Sequence, residues 1–230
     1  MRLKSVEHNF DNMSKLQKVI GLLRKEYGVP EIRRKEDPIE SLIQVILSQN
    51  TNDKNRDRAW RGLKKRFNVM EEILDSDVEE IADTISVAGL HNTKAERIKN
   101  CLEEIKEKQG GLDLNFLEDM DVEEAKSWLR QLPGIGPKSA AVVLNFTFDK
   151  ETFPVDTHVF RVTKRLGLVP EKTTREGAHD ILEEKVPGGR KQEFHINLIK
   201  HGRSICKARN PRCEICNLSG MCNYFLENKT

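Results

Sequence analysis

Residues 128–144 have the sequence WLRQLPGIGPKSAAVVL, which predicts a helix, a tight turn and a second helix. Gly134 and Gly136 allow the positive φ values that tight turns use, and Pro137 suits the first position of the second helix. Glycines also leave the backbone N–H groups of the turn uncovered, and bare amides at a helix N-terminus form an anion site. On the Gly-x-Gly pattern alone, a helical hairpin that needs glycine only in order to turn is an equally good interpretation.

Lys138 lies on the first turn of the predicted second helix. The positive end of the helix dipole opposes a positive charge there and tends to lower the pKa of a lysine. A nucleophilic amine must be neutral for part of the time, so this position suits covalent catalysis.

Asp156 follows eighteen residues later, ahead of a segment with apolar residues at helical spacing. One interpretation is an N-cap, which stabilises a helix by about 1 kcal/mol. Capping and catalysis are compatible, because a carboxylate at a helix N-terminus can also stabilise a developing cation or activate a water or an amine. Lys138 and Asp156 are therefore candidates for an amine and carboxylate pair.

Four of the five cysteines fall within a short C-terminal segment, with the spacing Cys206-x6-Cys213-x2-Cys216-x5-Cys222. In a cytosolic chain such a group indicates a metal site rather than disulfides. Four thiolates satisfy either a tetrahedral zinc ion or a [4Fe-4S] cluster. Zinc sites usually contain two Cys-x2-Cys pairs and this segment has one, so the longer loops favour the iron–sulfur cluster.

The first loop of this segment is basic. It carries Lys207, Arg209 and Arg212 without an acidic residue among them, and it follows Arg203. A solvated basic loop is one interpretation, and a phosphate-contacting loop pinned by the metal is the interpretation that we favour.

Apolar spacing is helical nearly everywhere, so the predicted fold class is all-α. Helix-start signals occur at residues 37–40, 77–80 and 121–124, where an aspartate precedes a glutamate by three positions. Cys101 lies on the apolar stripe of another helix, and we expect it to be a core residue.

The composition excludes several classes of protein. The 230 residues include 39 Lys+Arg and 37 Asp+Glu, and 37% of the chain is hydrophobic, too much for a disordered tail. No apolar run is long enough to span a membrane, and residues 1–10 lack the apolar region of a signal peptide. We therefore expect a cytosolic protein.

Together, three motifs resemble the endonuclease III branch of the helix-hairpin-helix DNA glycosylases. They are LPGIGPKSAAVVL at residues 132–144, VDTH at residues 155–158 and the cysteine spacing at residues 206–222. Their order and separation also match, and the similarity extends over about residues 20–225.

The resemblance implies a bilobal helical protein. One domain, residues 31–150, would be a six-helix barrel that contains the helix-hairpin-helix. The other, residues 1–30 plus 151–230, would surround a [4Fe-4S] cluster. A monomer would bind double-stranded DNA with a damaged base or an abasic site, with the flipped base entering between the lobes, in the cytoplasm on the nucleoid.

The resemblance also implies a reaction. Lys138 would attack the sugar C1′, expel an oxidised pyrimidine and form a Schiff base, after which β-elimination would nick the strand. Asp156 would be the essential carboxylate. The cluster would be structural or electron-transferring, with Cys206, Cys213, Cys216 and Cys222 as its ligands.

Two further segments map onto DNA-contacting loops of the family. Gln49 or Asn50 would fill the gap left by the flipped nucleotide; the family's glutamine position falls on Asn50, with a glutamine one residue earlier. Leu90 would wedge between bases, and His91 stands where an aromatic residue is expected. Gly134 and Gly136 would present backbone amides to phosphate.

Three alternatives remain open. An uracil or mismatch-thymine glycosylase of the same fold is one, although such monofunctional relatives usually lack the lysine found here at position 138. The related adenine glycosylase carries an additional C-terminal domain, whereas this chain ends eight residues after Cys222. The third alternative belongs to a different functional class. It is a non-catalytic iron–sulfur DNA-binding protein, in which Lys138 only contacts phosphate.

Overall fold

The computed structural model of the chain describes residues 14–31 and 37–228. Residues 1–13, on which the signal-peptide prediction and part of the second predicted domain depend, lie outside the described residues, as do residues 32–36 and 229–230.

The described residues are helical and contain no strand, which confirms the all-α prediction. In chain order the α-helices are α1 (Lys15–Tyr27), α2 (Pro38–Ser48), α3 (Asp53–Arg66), α4 (Met70–Asp75), α5 (Val78–Thr84), α6 (His91–Gln109), α7 (Val122–Leu129), α8 (Pro137–Phe148), α9 (Thr157–Leu166), α10 (Arg175–Lys185), α11 (Lys191–Ser204) and α12 (Asn223–Glu227). Short 3₁₀ turns occupy Ser86–Ala88, Asn115–Glu118, Cys213–Ile215 and Ser219–Met221. None of the described helices has the length and apolarity that a membrane-spanning segment needs.

All three helix-start signals precede a helix, but only two of the aspartates form a capping hydrogen bond. Asp37 accepts the N–H groups of Ile39 and Glu40 at 3.0 and 3.1 Å and so caps α2. Asp121 caps α7 by accepting the N–H of Glu123 at 2.8 Å. A helix also begins after Asp77, but the Asp77 side chain makes no capping hydrogen bond. The aspartate therefore marks the start of α5 without stabilising it by a cap.

The described residues form two compact units, 37–152 and 14–31 together with 153–228. We call them the hairpin unit and the cysteine unit. In the hairpin unit, α2 packs against α3, α6 and α8, and α7 packs against α8. Cys101 is 1% exposed in this core, which confirms that it is a core residue.

The cysteine unit is organised around α9 and α11, which pack against each other, while α1 packs on α11 and α12 packs on α9. Val159, Val162 and Leu166 of α9 are buried in its core, as the apolar spacing after Asp156 predicts. This burial fixes the orientation of α9 and hence of its N-terminus.

Candidate active site

The turn between α7 and α8 is anchored by its apolar residues. Leu132 and Ile135 are buried, and the Ile135 N–H donates to the Leu132 carbonyl at 3.1 Å. Burying side chains of this size contributes roughly 1.5–3 kcal/mol each. Behind the turn, the Cys101 thiol donates to the carbonyl of Pro133 at a sulfur–oxygen distance of 3.2 Å.

The two glycines of the turn have different roles. Gly134 has φ +77°, and a Cβ placed on it would lie 2.6 Å from Cδ of Arg97. Gly136 has φ −91° and ψ −178°, so the expectation of a positive φ there is wrong. Extended backbone at Gly136 is open to any residue, and a Cβ would meet nothing within 4 Å. Glycine is therefore required by conformation and space at position 134 only.

Gly136 is the N-cap residue of α8, and this helix start has no side-chain capping hydrogen bond. Pro137 is the first helical residue, as predicted, and half-buried Lys138 is the second. No acidic residue lies in the first turn. The start of α8 thus combines the positive end of a helix dipole with an amine, which is an arrangement suited to binding an anion.

Asp156 is the N-cap residue of α9. Its carboxylate accepts the backbone N–H of Val159 at 2.7 Å, so the predicted capping role is confirmed. The side chain is half-buried, and the hydrogen bond fixes its orientation. Lys138 belongs to the hairpin unit and Asp156 to the cysteine unit.

The structure distinguishes between the two neighbouring amides that follow α2. The Gln49 side chain donates to the carbonyl of Gly134 at 2.9 Å and accepts from Arg97 at 2.7 Å. Asn50 is exposed and has φ +52°, in the left-handed region. A side chain that already binds two groups of the protein is poorly placed to fill a gap in DNA, so the geometry favours Asn50 for that role.

Leu90 precedes α6 with φ +49° and ψ +34°, and its side chain is 60% exposed. A left-handed leucine is unusual and costs of order 1–3 kcal/mol. Exposure of a large apolar side chain on strained backbone is a combination found at functional sites. His91, the first residue of α6, is half-buried beside it.

The predicted basic contacts are at the surface of the cysteine unit. Arg203 near the end of α11 and Lys207, Arg209 and Arg212 of the following loop are all exposed. Arg165 holds this loop, donating to the carbonyls of Lys207 and Ala208 at 2.7 and 3.1 Å.

The four cysteine thiols of residues 206–222 line one cavity, whose other walls are largely apolar side chains. Among the described residues, no three His, Cys, Asp or Glu side chains form a group that could hold a metal ion. Thiols that are spaced around a cavity suit a cofactor larger than a single ion. A [4Fe-4S] cluster has four cysteine ligands, which is the number present here.

The electrostatics of the donor set fit a positively charged centre. Burial, followed by the charges of the neighbouring cysteines, raises the pKa of the Cys213 thiol, and burial also raises the pKa of Cys216 and Cys222. Because iron binds thiolates, the bound metal must supply the charge that offsets this cost.

Two residues beside the cavity have no signature in the sequence. Nε2 of His201 lies 3.6 Å from the sulfur of Cys216, while its Nδ1 lies 3.1 Å from the hydroxyl of Tyr27. Burial lowers the pKa of His201 to about 4, so the ring is neutral at pH 7. Arg165 donates to the sulfur of Cys206 at 3.3 Å and stacks on Tyr224. His201 and Cys216 are 15 positions apart in the chain and Arg165 and Cys206 are 41 positions apart, so neither contact is visible in the local sequence.

Comparison with known proteins identifies the family. Residues 43–188 match the HhH-GPD superfamily of base excision DNA repair proteins. The chain belongs to this superfamily. Residues 206–222 match the iron-sulfur binding domain of endonuclease III, and the [4Fe-4S] cluster is the cofactor of the chain. The resemblance inferred from the three motifs is thereby confirmed.

Individual relatives agree with this assignment. The chain is 34% identical to endonuclease III of Thermotoga maritima over 196 residues, covering 85% of this chain and 87% of the relative. It is 37% identical to a putative DNA glycosylase of Arabidopsis thaliana over 174 residues, covering 75% of this chain but 59% of the plant protein. The fold matches a trapped endonuclease III–DNA covalent intermediate with a TM-score of 0.80 and 26% identity, covering 95% of this chain and 100% of that structure.

Proposed function

We propose that the chain is a bifunctional DNA glycosylase and AP lyase that removes oxidised pyrimidines in base excision repair. The observation that carries the proposal is the position of Lys138, an amine on the first turn of a helix whose N-cap, Gly136, has no side chain. Membership in the superfamily supports the same function.

The amine of Lys138 attacks C1′ of the damaged nucleoside. The N-glycosidic bond breaks, and the base leaves with the bonding electrons and takes up a proton. The ring-opened sugar remains joined to the lysine as a Schiff base. Loss of a C2′ proton then expels the 3′ phosphate by β-elimination, which nicks the strand, and hydrolysis of the Schiff base frees the enzyme.

Asp156 supplies a fixed negative charge in this mechanism. Its hydrogen bond to Val159 orients the carboxylate, which stabilises the cationic sugar as the base departs or accepts the proton of the attacking amine. Capping and catalysis therefore use the same side chain.

The remaining residues bind DNA and the cofactor. The amides around Gly134 and Gly136 bind phosphate, Asn50 fills the gap left by the flipped nucleotide and Leu90 wedges between bases. The exposed cations at 203, 207, 209 and 212 contact phosphate. Cys206, Cys213, Cys216 and Cys222 would hold the cluster, which would supply structural support or electron transfer and would not touch the reacting bond.

The two units of the structure correspond, in this proposal, to the barrel predicted at residues 31–150 and the cluster domain predicted at residues 1–30 plus 151–230. The protein binds double-stranded DNA as a monomer, in the cytoplasm on the nucleoid.

Borohydride trapping on a duplex with an abasic site tests the function. The parent protein is expected to form a covalent adduct, Lys138→Ala is expected to lose it, and Lys126→Ala, which removes another lysine of the same hairpin, is expected to keep it. Absence of the adduct in the parent would overturn the lyase assignment and leave a monofunctional or non-catalytic DNA-binding protein. Base release from duplexes with oxidised pyrimidines, uracil or mismatched thymine then identifies the substrate.

A further inference from the structure

Lys94 of α6 is buried, with 1% of its surface exposed. Its ammonium donates to the carbonyl of Leu47 at 2.9 Å, to the hydroxyl of Thr51 at 2.6 Å and to the carbonyl of Ala88 at 3.0 Å. Lysine is almost never fully buried unless its charge is satisfied, and an ammonium has three donors. All three donors of Lys94 are therefore in use, toward backbone and hydroxyl oxygens and not toward a carboxylate.

The three acceptors belong to two different loops. Leu47 and Thr51 flank the loop with Asn50, and Ala88 precedes the turn with Leu90. The Thr51 hydroxyl in turn donates to the carbonyl of Ala88, which closes the network. Lys94 and Thr51 thus tie the two loops together from the inside.

Both loops hold a non-glycine residue in the left-handed region, Asn50 with φ +52° and Leu90 with φ +49°. Such conformations persist only where the surrounding structure imposes them. Lys94 binds the carbonyls of Leu47 and Ala88 and the hydroxyl of Thr51. Each of these acceptors lies within three residues of Asn50 or Leu90, so the hydrogen bonds contribute to that constraint.

Arg97 lies one helical turn after Lys94 and extends the connection to the hairpin. It donates to the side chain of Gln49, which donates to the carbonyl of Gly134. The Arg97 side chain also packs against Gly134, in the space that a Cβ would occupy. Residues three apart share a helix face, so one face of α6 contacts all three loops.

The surroundings of Lys94 exclude a role as a second nucleophile. Its amine is shielded from solvent and its donors are all engaged. Burial, with a smaller contribution from Arg97, lowers its pKa to about 8, so the ammonium form that makes the three bonds still predominates at pH 7.

We propose that Lys94 is a positioning residue that holds the loops of Asn50 and Leu90 at a fixed spacing, linked through Arg97 and Gln49 to the hairpin turn, so that the two residues enter DNA together when a base is extruded. This inference rests on the proposed function. It predicts that the network matters for extruding a base from an intact stack and much less at an abasic site, where no base has to leave.

The mildest test is Thr51→Val, which keeps the side-chain shape but removes the hydroxyl that accepts from Lys94 and donates to the carbonyl of Ala88. Single-turnover rates are measured on a duplex with an oxidised pyrimidine and on one with a preformed abasic site. Loss of a hydrogen bond to a charged group predicts a decrease of about tenfold in base release. Nicking at the abasic site is expected to fall by no more than about threefold, and Thr51→Ser is expected to restore base release.

Thr84→Val is the matched control, because the Thr84 hydroxyl donates to a backbone carbonyl, that of Glu80, at 2.8 Å within α5 of the same unit. It is expected to leave both rates unchanged. Lys94→Met gives a larger decrease in base release than Thr51→Val, with Lys99→Met as its control, since Lys99 of the same helix donates to the carbonyl of Ser76. If Lys94→Met does not fold, the Thr51 variants still decide the question.

Equal decreases on the two duplexes would show a merely structural role and overturn the proposal, as would no decrease on either. A parent protein inactive on both duplexes would instead contradict the proposed function. In that case amide hydrogen exchange decides the inference: Thr51→Val is expected to accelerate exchange in residues 49–52 and 86–90 together. Acceleration confined to residues 49–52 would overturn the coupling.

Discussion

The N-termini of α8 and α9 each carry a candidate catalytic side chain, but they are built in opposite ways. α8 begins after Gly136, which has no side chain to offer, whereas α9 begins after Asp156, whose carboxylate accepts a backbone N–H. Neither helix has an acidic residue in its first turn. The dipole of α9 is therefore balanced by a carboxylate at its own N-cap, whereas the N-cap of α8 is a glycine, which carries no charge.

This difference shows how one structural feature serves two chemical tasks. An uncapped start attracts an external anion and disfavours an additional positive charge, which suits phosphate binding and an amine nucleophile. A capped start holds a carboxylate in one orientation, which suits stabilising a cation. The choice of residue at the N-cap, glycine or aspartate, separates the two.

The largest expected effect is that of Asp156→Asn. Asparagine caps as well as aspartate, so the free energy of unfolding should change little. Loss of the charge should lower the rate of nicking at an abasic site by about 10²- to 10⁴-fold. Asp156→Ala should show a similar decrease in the nicking rate. In urea unfolding it should also lose about 1 kcal/mol of stability, because the cap is removed. Parent-like nicking by the asparagine variant would show that Asp156 is a cap and nothing more.

Gly136→Asp makes the start of α8 resemble that of α9. The new carboxylate competes with phosphate for the helix N-terminus, so affinity for a duplex with an abasic-site analogue should fall by roughly 10- to 100-fold in fluorescence anisotropy. Gly136→Asn is the control, because it adds a cap of the same size without the charge. Equal affinities of the two variants would contradict an anion site at this helix start.

Gly134→Ala should destabilise the hairpin unit by about 1–3 kcal/mol, because a left-handed alanine is strained. The added Cβ would also lie 2.6 Å from Cδ of Arg97. Gly110→Ala provides the comparison, since Gly110 has φ +75° with nothing within 4 Å of a Cβ. Urea unfolding should show a larger loss of stability for Gly134→Ala than for Gly110→Ala. Equal losses would mean that the Arg97 side chain moves aside at no measurable cost.

The smallest effect concerns the thiol behind the hairpin turn. Burial raises the pKa of Cys101 to about 12, so the folded protein keeps the thiol protonated where the unfolded chain, with a pKa of 9.0, ionises. The unfolded state therefore loses this proton first, and the stability contributed below pH 9 is lost as the pH rises from 9 toward 12.

Between pH 8 and pH 10 the parent should accordingly lose about 1 kcal/mol more stability than Cys101→Ala in urea unfolding. An identical pH dependence of the two proteins would show that the Cys101 thiol ionises freely in the folded state. Every other titrating group is common to both proteins, so the difference isolates Cys101.

The features that could be predicted from sequence depend on residues close together in the chain. The cap of Asp156 on Val159, the cap of Asp37 and the turn at Gly134 each involve partners within four positions. The metal-binding segment is also local, because its ligands lie within one short loop. Asp77 shows the limit of this reasoning: its pattern placed the helix start correctly but not the capping bond.

The sequence by itself therefore determined the helical fold class, the starts of several of its helices, the family and the cofactor. Only the tertiary structure decided that Gln49 is engaged while Asn50 is exposed, that His201 faces a cysteine sulfur and that Lys94 joins two loops. The physical reason is that these contacts are made largely to backbone carbonyls and single side chains far along the chain, such as Leu47, 47 residues from Lys94. Every residue has a backbone carbonyl, whatever its side chain, so a hydrogen bond to a carbonyl leaves no pattern in the sequence.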